Sequence, residues 1–374
     1  MKYFFIAILS IFCVTLLSQE KHPDVLPLDI GASAPDFNLR SVDGKMYSLA
    51  DFKDKNLLVI LFTCNHCPTA QAYEDKFIKI VNKYSSRGVG FVAISPNSNT
   101  ALSLAECGYS DLDDSYESMI IRAKDKDFNF PYLYDGDDHA VSVQYGPQAT
   151  PHAYVFDKDR KLRYRGRIDD TENPYIEPGT TDLINALSAL LEGKDTVPAT
   201  TKTFGCSIKW SWKNQWTEQL KKQWAEEPVN ISEIDDEGIS ELISNFTENL
   251  RVVNFWATWC GPCIIEFPEL VNIYRIYGGR SFEMVSVSTD KLANKDKVLA
   301  FLDKNDAAFM NYIYNKDKIY DMIELVDKDW QGTLPYTLVI EPGGKILYSH
   351  TGAIDPLELK KQIISYLGRY YADN

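Results

Sequence analysis

In Val252-Val253-Asn254-Phe255-Trp256 an apolar run of strand length leads, within four positions, to the cysteine pair of Cys260-Gly261-Pro262-Cys263. Beyond the pair, Ile264, Phe267, Leu270, Val271 and Tyr274 recur at the spacing of one helical face. The cysteines therefore stand where a buried strand hands over to a helix. An earlier stretch repeats the plan. Leu57 to Phe62 is uniformly apolar, Cys64-Asn65-His66-Cys67 follows, and Tyr73, Phe77, Ile80, Val81 and Tyr84 mark a second helical face. Later in each half a proline enters an apolar run, as Thr150-Pro151-His152-Ala153-Tyr154-Val155-Phe156 and as Leu334-Pro335-Tyr336-Thr337-Leu338-Val339-Ile340. The two halves read as copies of one α/β architecture.

The chain has 374 residues, 45% hydrophobic and 25% charged, enough to bury the cores of two domains and too apolar for global disorder. Its 39 Lys and Arg against 53 Asp and Glu give a net charge of −14, which argues against a phosphate-binding surface, so nucleic acid is not an expected partner. The expected division is a signal peptide over 1–18, a first domain over 27–191, a linker over 192–228 and a second domain over 229–374. Within the linker Trp212, Trp216, Leu220 and Trp224 stand four apart, which predicts a helix docked by that face between the domains.

At the start of the chain Lys2 precedes the uncharged, mainly apolar stretch Tyr3 to Leu17, interrupted by Ser10 and Thr15, too short for a comfortable membrane span and read as a signal peptide cut near Ser18. An uncleaved membrane anchor is the alternative. Cys13 invites a lipoprotein reading, against which stand the bulky Ile11 and Phe12 before it. The mature body is expected in the periplasm or another extracytoplasmic space, where disulfides persist.

A cysteine pair of this spacing at a helix start places its first sulfur against unpaired N–H groups and the positive end of the macrodipole, which favours thiolate over thiol. The second sulfur can reach back to resolve a mixed disulfide. Cys64 and Cys260 are therefore expected to attack, and Cys67 and Cys263 to resolve. Redox-active disulfides Cys64–Cys67 and Cys260–Cys263 stand in for a cofactor. No metal is expected, because a closed zinc site needs four ligands and neither pair has another within range. His66 is expected to stabilise the Cys64 thiolate and to make the first site the more oxidising, an exposed loop histidine without effect being the alternative. Electrons would then run from the second site to the first, or each site would serve its own substrate. Cys107 and Cys206 lack a local partner; single or structural roles rank ahead of a resolving role. Asp111, Asp113, Asp114 and Glu117 read as a solvated acidic surface.

With Asn254-Phe255-Trp256-Ala257-Thr258-Trp259-Cys260-Gly261-Pro262-Cys263 followed by Glu266 and Pro268, the second half resembles the thioredoxin superfamily, specifically the exported TlpA/ResA-like thiol-disulfide oxidoreductases, from near Val229 onward. The resemblance implies two tandem thioredoxin folds, each a central mixed sheet flanked by helices. It implies that Pro335 is a cis-proline whose loop, with Leu334, lies against the sulfurs and orients substrate, as Thr150 and Pro151 would in the first half. It also implies that Trp259 and Pro262 tune the sulfurs' acidity. Asn254 stands where cytosolic relatives carry a buried aspartate, and Glu266 is the implied substitute that moves protons.

The first half is similar to the redoxin branch, related to peroxiredoxins, through Gly31-Ala32-Ser33-Ala34-Pro35-Asp36-Phe37, the Asp43-Gly44 turn, Ser48-Leu49 and Thr63-Cys64-Asn65-His66-Cys67-Pro68. In peroxiredoxins the peroxide-attacking cysteine aligns with Cys67 and a threonine precedes it by three places, where this chain has Cys64. An arginine counterpart is absent from the Ala149 to Phe156 segment. The expected function is an exported thiol-disulfide oxidoreductase acting on disulfides and thiols of other exported proteins, recharged by a membrane or periplasmic reductant. The alternatives are a thiol peroxidase regenerated by its second domain, and a copper-handling protein with Cys64, Cys67 and His152 as ligands.

Overall fold

A computed structural model describes residues 24–136, 138–316 and 319–371; the expected signal segment over 1–18 lies outside them. Two mixed sheets organise the chain. The first contains β1 (Asn38–Ser41), β2 (Met46–Ser48), β3 (Leu57–Phe62), β4 (Val89–Ser95), β5 (Tyr132–Tyr134), β6 (His152–Phe156) and β7 (Leu162–Gly166), in the order β2-β1-β5-β4-β3-β6-β7. The second contains β8 (Ser232–Ile234), β9 (Leu250–Trp256), β10 (Phe282–Ser288), β11 (Met310–Tyr314), β12 (Tyr336–Ile340) and β13 (Ile346–Thr351), in the order β13-β12-β9-β10-β11-β8. In both, the central strand, β3 or β9, pairs parallel with the next strand in sequence and antiparallel with the strand that follows the proline. The far edges differ: antiparallel β1 and β2 extend the first sheet, and parallel β8 extends the second.

The helices are α1 (Pro68–Tyr84), α2 (Tyr116–Asp125), α3 (Ser142–Tyr145), α4 (Asp182–Leu191), α5 (Gln215–Ala225), α6 (Asp236–Ser244), α7 (Gly261–Tyr277), α8 (Lys295–Lys304), α9 (Ile319–Val326) and α10 (Pro356–Leu367). The central strands read as continuous apolar runs because both of their faces are covered. Leu57, Val59 and Leu61 pack with Tyr73, Phe77 and Ile80 of α1, while the alternate residues Leu58, Ile60 and Phe62 face Phe52, Tyr145 and Tyr154. In the second sheet Leu250 and Val252 meet Phe267 and Leu270 of α7, and Val253 and Phe255 meet Ile239 of α6 and Met322 of α9. Each such side chain contributes about 1.5–3 kcal/mol on burial. These contacts hold α1 and α7 rigidly across their strands, with the helix N-termini at the strand ends.

The region over 192–228 is built into its surroundings rather than strung between them. Thr201 N donates to Arg165 O at 3.2 Å, Thr150 N to Cys206 O at 2.9 Å and Ser98 N to Lys209 O at 2.8 Å, so this segment runs along the first domain as an extra strand-like edge. The predicted tryptophan face differs from the observed one. A 3-10 turn, Ser211–Lys213, ends before α5 begins, so Trp212 lies off the helix and stacks on Trp210 at 5.2 Å instead. Trp216 is 54% exposed, and α5 buries Thr217, with Leu220 and Trp224 half-buried. The docked face thus follows Thr217, Leu220 and Trp224, which lie within the 3.6-residue period, and not a strict four-residue repeat.

The halves dock directly on each other. Leu102 and the buried Cys107 join the apolar cluster around α7, Tyr277 Oη donates to Ser110 O at 2.8 Å, and Arg280 Nη1 donates to Gly108 O at 2.9 Å. Cys107 is therefore a single buried apolar contact at this junction, its thiol pushed well up by burial and by the Asp114 and Asp113 charges. Among the described residues no helix is long and apolar enough to cross a membrane.

Candidate active site

The peptide bonds Thr150–Pro151 and Leu334–Pro335 are cis, and the strand that follows each proline pairs its first residue with the central strand: His152 with Phe62, Tyr336 with Phe255. Counting five residues onward from Phe62 reaches Cys67, and from Phe255 reaches Cys260. Both are helix N-caps. Cys67 Sγ accepts from Ala70 N at 3.4 Å at the start of α1, and Cys260 Sγ accepts from Cys263 N at 3.3 Å at the start of α7. Cys64 falls at the place of Ala257, before its helix begins.

The two pairs are thus out of register, and the placement expected of the attacking sulfur falls on Cys67 rather than on Cys64. The reading that has Cys64 attack and Cys67 resolve aligns Cys64 with Cys260. In the structure the first-turn amides and the helix dipole, which act over one turn, face Cys67. The cause is local: Pro68, with its fixed φ and no N–H, starts α1 directly after Cys67, whereas in the second pair the helix starts directly after Cys260.

Thr150, the residue before the cis-proline, touches three cysteines. Its Oγ1 lies 3.1 Å from Cys64 Sγ, its carbonyl accepts from Cys67 Sγ at 3.3 Å, and its N–H donates to Cys206 O at 2.9 Å. Cys206 N donates in turn to Cys67 Sγ at 3.3 Å. Burial would push the Cys67 thiol up, yet hydrogen bonds from the Cys206 and Cys64 thiols, the charge of His66 and the Ala70 amide bring it well below the usual thiol range. Cys64 moves the other way, pushed well up by burial, by its hydrogen bond to Cys67 and by the Asp114 charge. The Thr150 carbonyl suits the protonated form of Cys67, and the two amides suit its thiolate, so the loop serves both states.

His66 is buried, 1% exposed, not a loop histidine in solvent, and its Nδ1 donates to Asp114 Oδ2 at 2.6 Å. Asp114 accepts four bonds: Asn65 N at 2.8 Å, His66 N at 3.0 Å, His66 Nδ1, and Asn97 Nδ2 at 2.7 Å. Burial would raise its carboxyl, but the His66 charge and these donors hold it below the usual range. Burial would lower His66, and the Asp114 charge and hydrogen bond raise it above the usual imidazole range. Both shifts favour the charged pair, an imidazolium against a carboxylate. Its positive charge favours the Cys67 thiolate, whereas sequence spacing pointed to Cys64, whose thiol the Asp114 charge helps push up. The acidic cluster is likewise not a solvated surface throughout, since Asp111 is buried and accepts from Arg369 Nη1 at 2.5 Å.

The second site holds its pair as a disulfide, Cys260–Cys263, whereas Cys64 and Cys67 are thiols. Asp290 clasps the approaching loop through Thr258 N at 2.8 Å, as Asp114 clasps Asn65 N in the first site. Trp259, which takes the place of His66, is 66% exposed, and Ile264 and Ile265 beside the disulfide are exposed too. Pro262 is exposed at the second helical position, with Leu334 half-buried against the adjoining core. Glu266 is buried; its Oε1 accepts from Asn254 Nδ2 at 3.0 Å and its Oε2 from Ile354 N at 2.8 Å. Burial pushes its carboxyl above the usual range against those donors.

One possible ligand set does not assemble and another does. His152 accepts from Gln148 N at 3.2 Å, and burial with the Arg165 charge pushes it down to about 3; it does not share a ligand cluster with Cys64 and Cys67, against the expected copper set. Cys64, His66 and Asp114 do bring ligand atoms within 4.8 Å of one another. With Asp114 already accepting four N–H bonds, one of them from His66, these groups are arranged to hold each other. The two sites lie toward opposite ends of α7, whose 17 residues span about 25 Å.

Sequence spacing ranked a resolving role for Cys206 second, read Asp114 as solvated surface and did not single out Arg369, because their positions depend on long-range packing. Gly205 was the available signal for Cys206, since glycine marks close backbone approach.

Residues 29–183 match the Redoxin family and residues 211–349 the AhpC/TSA family. The thiol-disulfide oxidoreductase ResA of Oceanobacillus iheyensis is 27% identical over 136 residues, 36% of this chain and 60% of that protein. The ResA of Halalkalibacterium halodurans is 30% identical over 131 residues, 34% of this chain and 69% of that protein. Among solved structures, an uncharacterized conserved protein of Geobacillus kaustophilus is 38% identical, with a TM-score of 0.44, over 49% of this chain and 92% of that one. A hypothetical protein of Sinorhizobium meliloti is 31% identical, with a TM-score of 0.44, over 50% of this chain and 96% of that one. The chain thus spans 60% of the Oceanobacillus relative's length.

Proposed function

The chain belongs to the thioredoxin superfamily of redox proteins, and on that premise we propose that it is an exported thiol-disulfide oxidoreductase with two working sites of different accessibility. The observation that carries the reading is the paired placement of Cys67 and Cys260, each capping a helix beside a cis-proline loop.

At the second site the reduced Cys260 thiolate attacks a disulfide of another extracytoplasmic protein, and one substrate sulfur leaves as thiolate. Cys263 then attacks the mixed disulfide, closes Cys260–Cys263 and releases the second substrate sulfur. Two electrons have passed to the substrate, and a membrane or periplasmic dithiol restores the pair. Glu266 is the residue that carries the Cys263 proton. The exposed Trp259, Ile264 and Ile265 offer apolar area to a partially unfolded substrate. Export of the chain rests on the apolar segment from Tyr3 to Leu17.

The closed first site supports a second reading for that half. Cys67 is fully buried, so a small hydroperoxide can reach it more readily than a folded protein can. The thiolate would take one peroxide oxygen as a sulfenic acid and release the other as alcohol or water. A neighbouring thiol would then condense with loss of water.

The test is to assay the purified chain for insulin-disulfide reduction and for hydrogen peroxide consumption, with Cys67→Ser, Cys64→Ser and Cys260→Ser compared. Loss of insulin reduction in Cys260→Ser supports the exchange reading, and full activity in that variant refutes it. Peroxide consumption lost in Cys67→Ser supports the second reading of the first half.

A further inference from the structure

We propose that Cys206 is the resolving thiol of the first site, closing a Cys67–Cys206 disulfide that ties the inter-domain linker to the redox centre. The inference rests on the reading of Cys67 as an attacking thiolate.

Cys206 approaches Cys67 from outside the redoxin fold, and several contacts fix it there. Its N–H reaches Cys67 Sγ at 3.3 Å, its carbonyl accepts from Thr150 N at 2.9 Å, and its side chain joins Cys64 and Cys67 in one cluster. The segment is anchored on both sides. Phe204 rests on Tyr73 with ring centroids 6.3 Å apart, and Lys209 N donates to Asn97 Oδ1 at 2.9 Å. Between them Gly205 takes φ +120°, and a Cβ there would stand 2.0 Å from Thr150 O, so only glycine lets the chain pass this close. A segment held only as packing needs neither the glycine nor an amide aimed at a sulfur.

Two thiols compete to resolve Cys67. Cys64 is buried and engaged with Thr150 Oγ1 at 3.1 Å. Cys206 is partly exposed, the one member of the trio that solvent and an external dithiol can meet, and its backbone N–H already reaches Cys67 Sγ at 3.3 Å. With glutathione disulfide as probe the steps balance. Cys67 thiolate attacks one glutathione sulfur, a glutathione thiolate leaves, and that thiolate takes the Cys206 proton. The Cys206 sulfur then attacks Cys67, the S–S bond to glutathione breaks, and the second glutathione leaves. Two protein thiols have become one disulfide, and one glutathione disulfide has become two reduced glutathiones.

The experiment treats the full reduced chain, Cys64→Ser, Cys64→Ala and Cys64→Ser/Cys206→Ser with glutathione disulfide, then maps the Cys67 peptide by non-reducing digestion and mass spectrometry. The expected result is a Cys67–Cys206 linked peptide in the full chain and in both single variants. Persistent glutathione on Cys67 should appear in the double variant, with at least about tenfold less in the single variants, because the neighbouring thiol acts at high effective concentration. Equal glutathione on Cys67 in single and double variants, or a full chain that forms only Cys64–Cys67 at every stage of oxidation, overturns the inference and leaves the attacking role of Cys67 standing. A full chain in which Cys67 neither gains glutathione nor enters any disulfide overturns both. If the variants fail to fold, the linked peptide in the unmutated chain decides the matter alone.

Discussion

Cys67 and Cys260 hold the same place in their two domains: each sulfur caps the helix five residues beyond the central-strand position that pairs with the residue after a cis-proline. The second cysteine of the first pair is therefore the counterpart of the first cysteine of the second pair. One motif serves two different geometries, set by where each helix begins.

The His66–Asp114 pair is expected to support both stability and thiolate formation. Asp114→Ala leaves a buried imidazolium without its partner and should cost about 3–5 kcal/mol in urea unfolding. Because His66 is raised above its ordinary 6.5, its contribution is complete below that value and is lost as pH rises through the folded value. Because Asp114 is lowered below its ordinary 3.8, its contribution is present above that value and is lost as pH falls through the folded value. The stability gap between wild type and Asp114→Ala should be widest between 3.8 and 6.5 and narrow on both sides; a gap independent of pH would contradict the ion pair.

His66→Gln keeps a polar side chain and removes the charge. The first site should become less oxidising, by about 30 mV for every ~1.4 kcal/mol of lost thiolate stabilisation. Equilibration against glutathione, followed at the Cys67 peptide, measures it; an unchanged or higher potential would count against the assignment.

Gly205→Ala should push the linker segment away from Thr150, since the added Cβ meets a backbone oxygen at 2.0 Å. Cys67 then loses the Cys206 amide, and the midpoint of its alkylation rate against pH should move up. The same midpoint in both proteins would show that the close approach has no bearing on the sulfur.

Glu266→Gln is expected to retain the fold, because Asn254 Oδ1 has no partner among the described residues and can accept from the new amide. Insulin reduction through Cys260 should fall by roughly 10²-fold, the usual scale of a lost proton-transfer group. The unmutated chain should show a pH dependence governed by a carboxyl above its ordinary 4.5, and the variant should lose it. Identical pH profiles would remove Glu266 from proton transfer.

Much of this architecture was legible in the chain because it is local. Leu57 to Phe62 and Val252 to Trp256 announce covered strands, and the helical repeats from Tyr73 and from Ile264 announce what covers them, although Ile264 itself is exposed. The order of the first pair was not legible by matching one motif to another, since the register depends on pairing His152 with Phe62. Cys206 and Asp114 reach the site across 139 and 48 residues of sequence, through packing that no local pattern records. The tryptophan stripe misled because spacing of four is compatible with one helix, while a 3-10 turn places Trp212 outside it.

The thiol acidity of the first pair tests the central claim most directly. Alkylation of the reduced chain by iodoacetamide across pH, followed separately at Cys64 and Cys67 by mass spectrometry, reports each thiolate. Cys67 should react with a midpoint well below the ordinary thiol value of 9.0, and Cys64 should react only above it. A Cys64 midpoint below that of Cys67 would contradict the account.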